Sequence, residues 1–343
     1  MSTRVLVGVS GGIDSAAVVM MLRERGFGVV AMWIDMLGLE SQREDVVRLC
    51  EKLQVELVVK DARADFKRIV VDRVLLEHRF GRTPSPCTIC NPLIKWQMLW
   101  QQAALLGCEY IATGHYISIV ERSARKYLEC GVDPVKDQSY YLWAMGVEQT
   151  ILEKTLTPLG EFYKSEVREY VRERGYEELC AKRESQSLCF VQGGYGEFLT
   201  SNLNPKQGVL LDSEGREVGT HSGAVLYTIG QKRGFNYLGD GKVEVRSIDP
   251  KCNVVRVGEP LMTDSLVINK GWFNPVDNAV VRAKIRGIGV NVESGVTVSK
   301  LPNEGEYRIN TTNAEKFWAP AVGQPVVLFQ GTIVVGGGVL HNI

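Results

Sequence analysis

A chain of 343 residues is long enough for two or three domains, each with its own apolar core, which excludes a peptide hormone or a disulfide-stapled mini-protein. Hydrophobic residues make up 45% and charged residues 23%, a soluble globular composition that leaves no room for extensive disordered tracts. The 40 Lys and Arg balance the 40 Asp and Glu, so the chain is not coated in positive charge for nucleic acid, although a local basic face is compatible with neutrality.

The first residues run straight into the apolar stretch Val5 to Val9 without the pattern of a secretory leader, and no apolar run reaches the length of a membrane span. A cytoplasmic protein without membrane contact is therefore expected. Its eight cysteines should be reduced, serving as buried apolar residues, metal ligands or catalytic thiols rather than structural disulfides. Strand-like Val5 to Val9 is followed by a helical pattern over Ile13 to Arg25, a strand at Val29 to Trp33, a helix at Glu44 to Leu53 and a strand at Leu57 to Lys60. A further helix, Ile94 to Leu106, precedes a strand at Tyr110 to Thr113. This alternation predicts an α/β fold with an N-terminal doubly wound parallel sheet over residues 1–200. Beyond Asn204 the helical signal stops and short strands recur between Gly, Pro, Asn and Asp turns, as in Gly208 to Asp212, Val243 to Ile248, Val254 to Val257, Ala279 to Ile285 and Val326 to Phe329. Two small all-β modules are expected there, 204–260 and 261–343, the last a β-barrel.

Between the first strand and the first helix lies Gly8-Val9-Ser10-Gly11-Gly12-Ile13-Asp14-Ser15. Glycines let a backbone approach an anion closely, and the free amides of a helix N-terminus point at it. The serines add hydroxyl donors. Asp14 would repel a bare phosphate, so its presence predicts that Mg²⁺ accompanies the nucleotide. The string matches neither G-x-x-x-x-G-K-[ST] nor G-x-G-x-x-G. It resembles the pyrophosphate loop (PP-loop) of the N-type ATP pyrophosphatases, enzymes of the adenine nucleotide alpha hydrolase-like fold that split ATP into AMP and pyrophosphate while adenylating an oxygen.

The second motif is Thr83-Pro84-Ser85-Pro86-Cys87-Thr88-Ile89-Cys90-Asn91, in which two prolines shape a loop that presents a Cys-x-x-Cys pair. No second such pair completes a zinc site, and the proline-flanked context differs from a thioredoxin-type redox pair. Cys189, in the polar segment Glu184-Ser185-Gln186-Ser187-Leu188-Cys189-Phe190, is the candidate third thiol. Cys50, Cys108, Cys130, Cys180 and Cys252 read as core residues. His115 and His221 read as structural, and Lys164 and Arg168, one helical turn apart, as a solvated helix face.

Further strings follow in order: Ala112-Thr113-Gly114-His115-Tyr116, Lys136-Asp137-Gln138-Ser139-Tyr140, Gly219-x-His221-x-Gly223, Tyr227 to Gly234, Lys284-Ile285-Arg286 and Gly336-Gly337-Gly338. Together with the two motifs above they resemble the bacterial tRNA-specific 2-thiouridylases across essentially the whole chain. The resemblance implies an ATP-dependent tRNA-uridine 2-sulfurtransferase that replaces O2 of the wobble uridine by sulfur in tRNAs for Lys, Glu and Gln. It implies ATP contacts at Gly8, Val9, Ser10, Gly11, Gly12, Ile13, Asp14, Ser15, Ile34 and Gly114. Cys90 would be the nucleophile and Cys189 the persulfide carrier, fed by a persulfide or sulfide donor protein. Transfer RNA contacts would fall on Ser85, Pro86, Cys87, Lys136, Asp137, Gln138, Arg286 and Gly287.

Two departures from the family pattern stand out. Cys87 occupies a position where many members carry Asp, so Cys87, Cys90 and Cys189 are also candidates to hold an iron-sulfur cluster with one open iron site. Gly287 stands where Tyr is usual. A ligase or amidotransferase of the same fold, or an iron-sulfur RNA-binding regulator, are the alternative readings. Residues 1–203 carry 25 Lys and Arg against 27 Asp and Glu, so RNA binding would depend on placed residues such as Lys136, Lys232, Arg233 and Arg286.

Overall fold

In the computed structural model, residues 2–181, 188–191, 193–287 and 292–343 are described. Their contacts divide the chain into two compact units that interleave in sequence. One comprises Met1–Val70, Cys87–Gln186 and Thr332–Val335; the other comprises Val71–Pro86, Ser187–Gly331 and Gly336–Ile343.

The first unit is built on a five-stranded sheet of order β3-β2-β1-β4-β7. Its strands are β1 (Arg4–Val9), β2 (Gly28–Asp35), β3 (Glu56–Asp61), β4 (Tyr110–Ala112) and β7 (Thr155–Leu156), all paired in parallel. The strand order reverses between β1 and β4, and at such a switch point the loops leaving the two strands diverge to open a crevice at the carboxyl edge of the sheet. Helix α1 (Ile13–Glu24) is apolar on every side over Ala16 to Leu22, and each of those residues is buried. It is covered by the sheet, by α2 (Glu40–Leu53) and by the helix Lys164–Glu173. Side chains such as Val18, Val19 and Leu22, with no exposed surface, contribute about 1.5–3 kcal/mol each through burial.

The expected alternation omits one feature of this unit. Strands β5 (Ile117–Arg122) and β6 (Arg125–Cys130) form an antiparallel hairpin outside the parallel sheet. Its turn residues Ser123 and Ala124 both adopt positive φ. The free edge of β6 is continued by Ile333, opposite Glu129, with the Cys130 amide donating to the Thr332 carbonyl at 2.9 Å.

The second unit is largely β-structure. Strands β8 (Gly208–Leu211), β9 (Glu217–His221), β10 (Phe235–Tyr237), β11 (Glu244–Asp249) and β12 (Val254–Gly258) form a sheet of order β10-β9-β8-β12-β11 around Leu210, Tyr227, Val245 and Val255. A short pair, β13 (Met262–Thr263) with β18 (Phe317–Trp318), stands apart. Strands β14 (Ser265–Phe273), β15 (Val281–Lys284), β16 (Val292–Lys300), β17 (Tyr307–Thr311), β19 (Pro325–Gln330) and β20 (Ile333–Asn342) form the barrel, which closes where β14 pairs with β20. The Gly336 to Gly338 run serves this closure: a Cβ on Gly336 would lie 2.6 Å from the Trp272 carbonyl oxygen.

Candidate active site

The PP-loop motif occupies the turn from β1 to α1, at the switch point. Gly11 has φ +75°, a conformation suited to glycine, and a Cβ there would lie 3.2 Å from Val46. Ser15 closes the turn, its hydroxyl donating to the Gly12 carbonyl at 3.0 Å and accepting from the Ser10 amide at 3.2 Å. The N-cap of α1 is Gly12, which has no side chain to cap the first helical amides, so they are available to an anion. Gly114 follows β4 on the other side of the crevice and packs against α1: a Cβ would lie 3.2 Å from the Asp14 carbonyl carbon and 3.3 Å from the Ser15 amide nitrogen. Ile34 is buried near the end of β2. These residues therefore share the carboxyl edge of one sheet.

Asp14 is fully engaged. Lys164 Nζ donates to its Oδ1 and Oδ2 at 2.6 and 2.7 Å, and the Tyr116 hydroxyl donates to Oδ1 at 2.7 Å. The Lys164 side chain is only 9% exposed. The solvated helix face expected for Lys164 and Arg168 is thus corrected. Lys164 turns inward to the loop, and Arg168 donates from Nη1 to the Cys180 carbonyl at 2.8 Å. The arrangement also bears on Mg²⁺ at Asp14. An ammonium already neutralises both carboxylate oxygens, so Asp14 as placed here does not fit a resident divalent cation.

Cys90 and Cys87 lie three residues apart on the short helix Pro86–Cys90. Cys90 is buried, with its thiol 3.9 Å from the Met36 thioether just beyond β2, which brings it to the same sheet edge as the PP-loop. A wide π-type turn, Asn91–Trp96, follows, containing Pro92, which has no amide to donate. It buries Asn91, whose Nδ2 donates to the Tyr141 carbonyl at 3.3 Å. Burial, reinforced by the neighbouring Cys87, pushes the Tyr141 phenol above its ordinary value. His115 packs on Trp96 with ring centroids 4.8 Å apart, and its Nδ1 shares a hydrogen bond with Thr113 Oγ1 at 3.1 Å. Burial, with Lys95 adding a like charge, lowers its pKa to about 3, so it is neutral at physiological pH.

Cys189 belongs to the second unit and is exposed, while Glu184, Ser185 and Gln186 lie outside the described residues. Among the described residues no group of three or more His, Cys, Asp or Glu side chains is assembled for a metal ion. In the first unit the motif supplies two thiols, Cys87 and Cys90; three-cysteine ligation of a cluster and the persulfide relay alike call on Cys189 from the second unit. The other cysteines are less uniform than expected. Cys50 is core, and burial raises its thiol to about 11. Cys180 is half-buried and packs against the core of the first unit, whereas Cys108 and Cys130 are half-buried and Cys252 is exposed in a turn capped by Asp249, so the core reading is corrected for these last three.

The Lys136-Asp137-Gln138 string lies in a tightly tied loop. Asp137 accepts from the Gly131 and Ser139 amides and from the Ser139 hydroxyl, and Gln138 Oε1 accepts from the Tyr116 amide at 3.0 Å. Asp137 thus holds the loop's own residues, and Gln138 ties the loop to Tyr116. In the second unit, Ser85 and Pro86 follow Thr83, whose hydroxyl shares a hydrogen bond with the Thr228 hydroxyl. Arg286 donates from Nη2 to the Ile229 carbonyl at 2.6 Å and to the Ala319 carbonyl, with its guanidinium over the Trp318 ring at 4.9 Å. Gly287 follows, immediately before undescribed residues 288–291. Lys232 pairs with Glu244 at 2.9 Å. Sequence reasoning quoted Tyr116 within a string without giving it a role, and it missed Asp133, which accepts from the Lys164 amide at 2.9 Å, and the inward role of Lys164; Asp133 lies three residues before a recognised string, and Lys164 had no such signal.

Two family descriptions match the chain: "tRNA methyl transferase HUP domain" over residues 3–193, and "tRNA methyl transferase PRC-barrel domain" over residues 196–259. Among curated proteins, the tRNA-specific 2-thiouridylase MnmA 3 of Bacteroides fragilis is 37% identical, covering 99% of this chain and 94% of its own length. The tRNA-specific 2-thiouridylase MnmA of Natranaerobius thermophilus is 36% identical over 99% of this chain and 98% of its own. That of Helicobacter hepaticus is 33% identical over 97% of each.

Proposed function

Because the chain belongs to the tRNA-specific 2-thiouridylase family, we propose that it is an ATP-dependent tRNA-uridine 2-sulfurtransferase acting on the wobble uridine of tRNAs for Lys, Glu and Gln. The observation that carries this reading is the meeting, at one sheet edge, of the Gly8 to Ser15 loop with the buried Cys90 thiol. Uncapped amides of α1 and the glycines of the loop receive the polyphosphate, and Lys164 supplies the positive charge that keeps Asp14 from repelling it. The uridine O2 attacks the α-phosphorus as N3 gives up its proton to solvent, an O–P bond forms, and pyrophosphate leaves. O2 thereby becomes part of a good leaving group, AMP.

Sulfur arrives as a persulfide on Cys189, delivered by a donor protein. The Cys90 thiolate attacks Cys189 Sγ, forming a Cys90–Cys189 disulfide and expelling hydrosulfide. Hydrosulfide adds at C2, AMP departs, and the proton from sulfur ends on N3 of 2-thiouridine. A thiol reductant then returns two electrons to the disulfide, a transient bond suited to a reducing compartment. Among the described residues no helix is long and apolar enough to cross a membrane. Mg²⁺ enters as part of the ATP complex, and no step is routed through a metal or a cluster.

The test is nucleoside mass spectrometry of unmodified tRNA incubated with protein, Mg·ATP, a persulfide donor and a thiol reductant. The expected product is 2-thiouridine with AMP and pyrophosphate, lost in Cys90→Ser and Cys189→Ser. Absence of 2-thiouridine with both persulfide and free sulfide donors would sink the proposal. Full activity of an iron-free Cys87→Ala enzyme is expected from the relay and would be incompatible with a cluster.

A further inference from the structure

Cys189 sits at the tip of a tight turn in the second unit. The Val191 amide donates to the Leu188 carbonyl at 3.0 Å, so Cys189 and Phe190 are the two central residues of the turn, and Cys189 faces solvent. A turn closed by one hydrogen bond is weakly held unless its side chains are anchored. Here they are. Val191 is buried, and the Phe190 ring meets Phe198 edge-on, with centroids 5.1 Å apart and planes at 79°.

From Phe198 the contacts lead back to the core of the unit. Phe198 stacks on Tyr195, which lies three residues earlier on the helix Tyr195–Leu203, with centroids 6.1 Å apart. The Tyr195 hydroxyl lies 2.9 Å from His78 Nε2, and the two rings pack at 5.6 Å. His78, on the helix Asp72–Arg79, is 3% exposed. Its Nδ1 lies 3.0 Å from the Val225 carbonyl, which can only accept, so Nδ1 carries the proton and Nε2 accepts from Tyr195. Burial lowers the His78 pKa and raises that of the Tyr195 phenol, which keeps both groups neutral in this arrangement. Val225 belongs to the short turn Ala224–Leu226, whose Ala224 is part of the core around Leu210 and Val255. A buried polar pair with its hydrogen bonds satisfied fixes one orientation where apolar side chains would allow several.

We propose that Phe190, Tyr195 and His78 are positioning residues that hold Cys189 for sulfur transfer to Cys90. The inference rests on the persulfide relay proposed above. In that step the Cys90 thiolate bonds to Cys189 Sγ, the bond from Sγ to the outer sulfur breaks, and hydrosulfide leaves with the electron pair. An anchored turn limits the volume that Sγ explores and so raises the effective concentration of the persulfide. Releasing the turn should slow this step and leave thiolation from free sulfide untouched.

The experiment loads Cys189 of the full chain with glutathione persulfide, removes the excess by gel filtration and confirms equal loading by peptide mass spectrometry. It then follows 2-thiouridine in a single turnover with unmodified tRNA and Mg·ATP, without reductant. A parallel assay supplies free sulfide to unloaded enzyme. Phe190→Ala should slow the single turnover at least about 10-fold, while Phe190→Tyr, which keeps the ring, should stay within about 2-fold of wild type. Tyr195→Phe keeps the stack but loses the hydrogen bond to His78, and should slow it about 3-fold. With sulfide, every variant should match wild type. Equal single-turnover rates in wild type and folded Phe190→Ala overturn the inference, and so does a parallel loss with sulfide, the mark of a merely structural role. If thermal unfolding shows that Phe190→Ala does not fold, Tyr195→Phe decides, and a wild-type rate there overturns the inference. Wild type that thiolates from sulfide but not from loaded Cys189 removes the relay, and with it the inference, yet leaves the enzyme assignment standing; thiolation from neither source removes that assignment as well.

Discussion

Asp14 carries the charge balance of the nucleotide loop, and it does so through a partner 150 residues away in sequence. Lys164→Met removes the ammonium and leaves Asp14 with Tyr116 alone. Breaking a buried pair costs about 3–5 kcal/mol, but the Asp14 side chain is 34% exposed, so a stability loss of about 1–2 kcal/mol is expected by denaturant titration. The loss in kcat/KM for ATP should be larger, at least about 100-fold, because an uncompensated carboxylate then faces the polyphosphate. His115 gives a pH signature. With its folded pKa lowered to about 3 and an unfolded value near 6.5, the unfolded chain binds a proton that the folded chain does not between those limits. Stability from a neutral His115 is present above pH 6.5 and is lost as pH falls, at up to about 1.4 kcal/mol per pH unit. Urea titrations of wild type and His115→Gln should therefore converge between pH 7 and pH 5; a constant gap would contradict the assignment. At this scale the Gly8 to Ser15 string was readable because its function depends on neighbours in sequence. Lys164 was not, because in a strongly polar helix an inward lysine has the same pattern as an outward one.

Gly114 shows what a short connection does between elements. Gly114→Ala places a methyl group 3.2 Å from the Asp14 carbonyl carbon, against backbone that cannot rotate away, and so shifts the first turn of α1. A rise of about 10-fold in KM for ATP is expected, with a change in stability near 1 kcal/mol, measurable by initial rates and thermal unfolding. An unchanged KM would show that the loop tolerates the displacement. The alternation of strands and helices made the parallel sheet legible, because β1, β2 and β4 are continuous apolar runs, as strands buried on both faces must be. The β5–β6 hairpin was not legible: Ile117 to Arg122 and Arg125 to Cys130 are half polar, and their turn lacks an Asn-Gly or Asp-Gly pair. The Lys136-Asp137-Gln138 string was recognised, but Asp137 and Gln138 turn to internal partners, which a string of residue types does not reveal.

For the whole molecule, the balance of 40 basic and 40 acidic side chains sets how RNA is held. Several of the cations expected to grip it have internal duties, Arg286 on two carbonyls and Lys232 on Glu244. Binding that relies on a few placed cations should lose affinity with salt gently, with a slope of log K against log salt of about −2 to −4, checked by filter binding across ionic strengths. A slope near −8 would point to a broad basic face. Composition made this neutrality legible, but the pairing of each cation depends on contacts between distant segments. Synthesis order adds a consequence. The edge of β6 is completed by Thr332 and Ile333, made some two hundred residues after Cys130. At about 5–20 residues per second the ribosome leaves that edge open for roughly 10–40 s, long enough for a nascent chain to need protection against strand pairing with its neighbours. A product terminated before Thr332 would carry the entire nucleotide loop and still lack the piece that finishes the unit housing it.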